Sequence, residues 1–186
     1  YGVALRKAVL DGAHLDIALT DSVPEDTTVA ENLWKISLGE LSVNNSDILL
    51  HLPGDTLQVG MQVGSIIATG GNFDLHQGLY ELARCKVGGS SVQYDNKSMR
   101  REPNGVLDAN HLALSDINIG IDSLRFLSPE LKVKVKYAEA KEKSGLTLSS
   151  LAADVAMDST QLRLDGMLKT PSSHIGARLL MDLDAF

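Results

Sequence analysis

Apolar and polar residues alternate along most of this chain. LKVKVKY places Leu131, Val133, Val135 and Tyr137 on one face and three lysines on the other, the two-residue period of a half-solvated β-strand. LQVGMQV repeats it with Leu57, Val59, Met61 and Val63, and HLDIAL, INIGID and QLRLDG follow over shorter runs. Between these pieces stand VNNSD, ATGGN, PNG and TPSS, whose Gly, Asn, Asp and Ser predict turns. Two segments read as helices instead. PEDTTVAENLW has an acidic first turn after Pro24, giving a loop or short helix at 22–33, and LSSLAADVAM is rich in alanine and leucine.

A second pattern interrupts the alternation. In VGGSSVQY the apolar residues Val87 and Val92 are five positions apart, an odd interval that reverses the face of a regular strand. The same phrase, two apolar residues around four small or polar ones, occurs five times: LDGAHLDI (Leu10 to Ile17), VNNSDILL (Val43 to Leu50), VGGSSVQY (Val87 to Tyr94), IGIDSLRF (Ile119 to Phe126) and MDSTQLRL (Met157 to Leu164). A bulge or tight arc reconciles an odd interval with one interior, so each phrase predicts a bent strand followed by a return strand. Such units bury their apolar face only against neighbours and build an elongated sheet, which must curl to limit its exposed apolar surface. The predicted fold is all-β: an elongated, curled antiparallel sheet of about ten bent strands, on the order of 50 Å long, with 1–186 as one unit of a larger repeat domain.

Composition narrows the function. With 17 basic and 24 acidic residues the formal charge is −7, which disfavours nucleic acid and a polybasic membrane anchor. The locally basic KVKVKYAEAKEK reads as a solvated strand face. No apolar run has the length of a membrane span, and the start, YGVALRKAV, has neither a signal core nor an initiating Met. The chain therefore reads as a fragment whose anchor or export signal lies outside it.

The run from LSVNNSDILLHLPGD to LARCKVGGSSVQYD, then LALSDINIGIDSLRF, DSTQLRL and KTPSS, resembles the repeats of the TamB and AsmA-like proteins, most of all the long versions of Bacteroides-type bacteria. The resemblance lies in texture and recurrent phrases across nearly the whole chain. It implies a periplasmic section of a bridge anchored to the inner membrane by a helix elsewhere. It further implies a curled, open, taco-like sheet whose hydrophobic groove carries phospholipid towards the outer membrane in outer-membrane biogenesis. A barrel partner of the TamA kind would be met through other parts of the protein. The groove-lining residues are then Val43, Ile48, Val87, Val92, Ile119, Leu124, Met157 and Leu162, with Val133 and Val135 on a return strand. Composition alone reads the same rows as a sealed core, and the resemblance turns that reading to an open groove. Two rivals are a scaffold that binds nascent outer-membrane strands by β-augmentation and a closed β-solenoid stalk or adhesin.

No enzyme, cofactor or metal site is expected. His14, His51, His76, His111 and His174 are scattered and read as surface or edge residues. GGSSV lacks the second glycine of a nucleophile elbow, and GGNFD reads as a turn. Alternation places the single Cys85 with Ala83 and Val87 on one face as a buried structural thiol, with Arg84 and Lys86 opposite. Trp34 packs either at one end of the trough or under the 22 to 33 loop.

Overall fold

A computed structural model describes residues 1–19, 34–52, 56–103 and 105–183. They form ten strands: β1 (Gly2–Asp11), β2 (His14–Ala18), β3 (Lys35–His51), β4 (Leu57–Asp74), β5 (Leu79–Asn96), β6 (Ala113–Leu127), β7 (Glu130–Glu142), β8 (Thr147–Met157), β9 (Gln161–Lys169) and β10 (His174–Asp182). All belong to one open sheet that runs from β1 through β3 in sequence order to β10. From β3 onward every pairing is antiparallel, whereas β1 and β2 both lie parallel to β3. The expected antiparallel sheet thus carries one parallel edge. Because β1 and β2 line successive halves of β3, ten strands fill nine places, and the sheet spans about 38 Å at 4.8 Å per step.

The chain bends without reversing at a shared level. Gly12, Asn45, Gly89 and Asp116 have φ of 65°, 47°, 57° and 53°, at the β1 to β2 junction and on β3, β5 and β6 respectively. Register aligns them: Leu10 pairs with Val43, Val43 with Ile66, and Ile66 with Val87. A left-handed residue lets three residues do the work of two, so inward positions run Val43, Ser46, Ile48 and Val87, Ser90, Val92. The interval of five is three plus two, and Val87 and Val92 share a face. Ser46, Val63, Ser90 and Ile117 fill the inside of this corner at 2%, 5%, 6% and 7% exposure. Gly89, Asn45 and Asp116 stand exposed at its apex. The apolar side is therefore the concave one.

The corner also has to satisfy backbone amides that the bend removes from the ladder. Ser46 Oγ donates to Asn44 O at 2.7 Å and accepts from Ala13 N at 3.1 Å. Ser90 Oγ does the same with Gly88 O at 3.3 Å and Gly64 N at 3.2 Å. Asn118 Oδ1 accepts from Gly89 N at 3.1 Å. The small polar residues that interrupt the alternation are the fasteners of the corner.

Several sequence expectations change. VNNSD is the corner of β3, and ATGGN and GGNFD lie within β4, where Gly70 (φ 64°) makes a second bend; none reverses the chain. TPSS does turn the chain, between β9 and β10. MDSTQLRL is the β8 to β9 hairpin, not a bent strand: Met157 pairs with Leu162, and Asp158 Oδ1 accepts from Thr160 N and Gln161 N at 2.8 and 2.9 Å. IGIDSLRF bends by a bulge in β6 at the level of Gly70, one bend away from the shared corner. LSSLAADVAM is strand β8. Leu151, Ala153, Val155 and Met157 alternate into the apolar face, and pairing on both flanks outweighs a helix preference of a fraction of a kcal/mol per residue. The segment 22 to 33 and most of PEDTTVAENLW lie outside the described residues. Trp34 packs its ring on Tyr1, 5.4 Å between centroids, and stays 43% exposed.

Candidate functional site

Residues paired across a sheet share a face, so the register traces the apolar side strand by strand. One row runs Leu10, Val43, Ile66, Val87, Ile119, Ala138, Leu151, Leu168, Ile175. A second runs Ala8, Leu41, Ala68, Cys85, Ile121, Val135, Ala153, Gly166, Ala177, and a third Leu5, Leu38, Gly71, Leu82, Leu124, Val133, Val155, Leu164, Leu179. The fourth, along the hairpin rim, is Val3, Ile36, Phe73, Tyr80, Phe126, Leu131, Met157, Leu162, Met181. Beyond the corner Leu15, Ile48, Met61, Val92 and Leu114 make a fifth. Strict alternation along β8, β9 and β10 proves that the first four rows lie on one side.

All ten groove residues expected from the sequence fall on this face. Val43, Val87 and Ile119 share one row, Leu124 pairs directly with Val133, and Met157 pairs with Leu162. Val135 sits in the second row, and Ile48 and Val92 lie across the corner. The sequence missed the aromatic rim, where Phe73, Tyr80 and Phe126 stack at 6.3 and 6.1 Å between centroids. Its only signal was that these rings close their strands beside turns. Tyr137 leaves the face assigned to it: Lys136 is an extra residue in β7, so Tyr137 pairs with Gly120 and lays its ring over that glycine on the polar side. Ala83 likewise faces out, and Cys85 shares its face with Leu82 and Val87. Burial pushes the half-buried Cys85 thiol up from its ordinary pKa.

Among the described residues no strand lies over this face. Every substantial strand contact is between sheet neighbours. The buried apolar set among the described residues is Val43, Val63, Ala68, Ile117 and Ala153, and no large side chain is fully buried. The surface is 12334 Å², against about 8,700 Å² for a compact globular chain of this mass. The apolar rows line an open trough rather than a sealed core, and the sheet does not close into a solenoid. A concavity of about 560 Å³ lies on the opposite, polar side. Its walls are outward residues such as Lys132, Lys134, Arg163 and Arg178, with the backbone of the Val133 row as floor.

Polar groups concentrate at strand ends. Asp74, 5% exposed, bonds Lys35 at 2.8 Å and accepts from His76 N and Gln77 N, and Lys35 foremost holds its carboxyl below the ordinary range. His111 departs from the surface position expected of it: it is 3% exposed, with Nδ1 2.8 Å from Asp108 Oδ2. Asp108 accepts from Glu102 N at 2.9 Å and Asn110 N at 3.0 Å, and the Glu102 amide, with His111, holds it down to about 2 despite burial. These contacts fasten the β5 to β6 connection. No group of three or more His, Cys, Asp or Glu capable of holding a metal occurs among the described residues. No known protein family, curated protein or solved structure matches the chain.

Proposed function

We propose that this chain is a section of a TamB or AsmA-like periplasmic bridge that shields lipid acyl chains in its trough, carrying phospholipid between inner and outer membranes during outer-membrane biogenesis. The observation that carries the reading is the set of four apolar rows crossing nine strand positions with no covering strand among the described residues. Exposing an acyl chain of about 16 methylenes costs on the order of 13 kcal/mol at roughly 0.8 each, so a lipid crossing water needs such a surface along its path. Rows of Val, Ile, Leu, Ala and Met offer similar contacts at each step and no deep trap, which suits a cargo that slides. On this reading the protein is not an enzyme and uses no cofactor. It is held at the inner membrane by parts beyond this section, and it meets a barrel partner, if any, there too.

The test is a photocrosslinking amino acid at Val92 or Leu124 in the full-length protein in cells. Phospholipid capture should exceed that at the outward Lys134. Equal capture at the two faces would refute the proposal.

A further inference from the structure

We propose that a phospholipid with an ammonium headgroup, of the ethanolamine or choline class, lies across the trough with that headgroup at the hairpin rim and its tails running inward to the corner. The inference rests on the trough reading above and adds the orientation and the headgroup class of the cargo. Aromatic residues are few in this chain, and most stand in one place. Of the seven among the described residues, Tyr1, Trp34, Phe73, Tyr80 and Phe126 lie on the inner side of the hairpin rim. Phe73, Tyr80 and Phe126 belong to the rim row, and Tyr1 and Trp34 continue the alternation of Val3 and Ile36 one step further out. Across the corner, Tyr94 beside Val59 is the one aromatic residue described on the inner face.

Length, ring chemistry and charge fix the orientation. From the rim row to the row before the corner β8 takes six residues, Met157 to Leu151, about 20 Å of strand, and the tails of one bilayer leaflet fill about 15 Å. A tail that starts at the hairpin rim therefore rests on aliphatic rows throughout and stops short of the buried corner serines, Ser46 and Ser90. The arm beyond the corner is shorter: from Val92 to the end of β5 at Asn96 is four residues, about 13 Å. A tail entering from that side has to cross the polar corner. Rings with a polar tip suit the boundary between an apolar surface and water, and Tyr80 and Trp34 stay 39% and 43% exposed there. Their faces attract an ammonium group. Beside the rings Lys35, Arg125 and Lys132 stand against Asp74, Glu81 and Glu130, three charges of each sign. Lys35 bonds Asp74 at 2.8 Å, and Arg125 lies between Glu81 and Glu130 at 3.1 Å from each. Among these residues no surplus of positive charge selects an anionic headgroup, so a zwitterionic one fits best.

The chain carries one tryptophan, at the rim, and one cysteine, in the second row. Purified chain with a bimane fluorophore on Cys85 is incubated with sucrose-loaded phosphatidylcholine vesicles, and the vesicles are spun away. Quenching in the supernatant is then read for lipid carrying a nitroxide on its choline or near the end of a tail. The headgroup nitroxide should quench Trp34 more than the Cys85 label, and the tail nitroxide the reverse. If the label alters the circular dichroism, Ile121→Trp in a Trp34→Phe background reads the second row instead, since Ile121 pairs with Cys85. With unlabelled vesicles, phosphatidylcholine recovered with the protein should exceed phosphatidylglycerol about two- to fivefold, the worth of one ammonium on an exposed ring. Tyr80→Leu/Phe126→Leu should still load lipid but lose that preference. Equal quenching of the two positions by each label, a preference for phosphatidylglycerol, or a preference that survives in Tyr80→Leu/Phe126→Leu overturns the proposal and leaves the trough standing. Supernatant protein without lipid overturns the trough reading and this inference together.

Discussion

The corner that bends the sheet rests on a left-handed backbone at Gly89, and substitution there isolates that cause. A Cβ at Gly89 meets nothing within 4 Å, and its amide bond to Asn118 does not involve the side chain. Gly89→Ala therefore adds no clash; its cost is the left-handed conformation itself, about 1–2 kcal/mol for an L-residue. After the small gain from a stiffer unfolded chain, a net loss of about 1 kcal/mol is expected. Asn45 holds the equivalent corner of β3 at φ 47°, so Gly89→Asn should lose less than Gly89→Ala. Gly176 supplies the opposite control: it too has open space around a Cβ, but its φ is not positive. Gly176→Ala should gain about 0.4–1 kcal/mol. Urea denaturation followed by circular dichroism measures all three. The reasoning fails if Gly89→Ala is neutral, if Asn is no better than Ala, or if Gly176→Ala costs as much as Gly89→Ala.

Two further expectations concern polar anchors. Ser90→Ala leaves Gly64 N without its acceptor inside the corner and should lose about 1–3 kcal/mol; a neutral result in urea denaturation would mean water takes the serine's place. Asp108 is held at about 2, below its ordinary 3.8, so its contribution is complete above pH 3.8 and disappears as pH falls through about 2. The fall in urea midpoint across that window should be smaller in Asp108→Asn, and an unchanged acid profile would show that the fastening of the β5 to β6 connection lies elsewhere.

Much of the trough was legible because a strand's period is local. Val133 and Val135 alternate with lysines, and a half-solvated strand is the structure that gives such a pattern one dry side. The odd intervals around VNNSD and VGGSSV likewise required a bend if both apolar residues were to share an interior, and Asn or Gly is the residue that can supply it. What could not be read depends on the neighbouring strand. MDSTQLRL matches the bent-strand phrase, yet Asp158 closes a hairpin there because β9 returns beside β8. LSSLAADVAM has the residues of a helix, and becomes a strand because β7 and β9 offer it a ladder on each side. Tyr137 continues the alternation of LKVKVKY but turns outward, since the bulge at Lys136 is set by its register against β6. The sequence by itself determined that the chain is made of strands with one apolar side and polar corners. The tertiary structure alone decided that those corners stack at one level, that the apolar residues join into rows, and that no strand among the described residues covers the rows, because register, bulges and layering are properties of strands together.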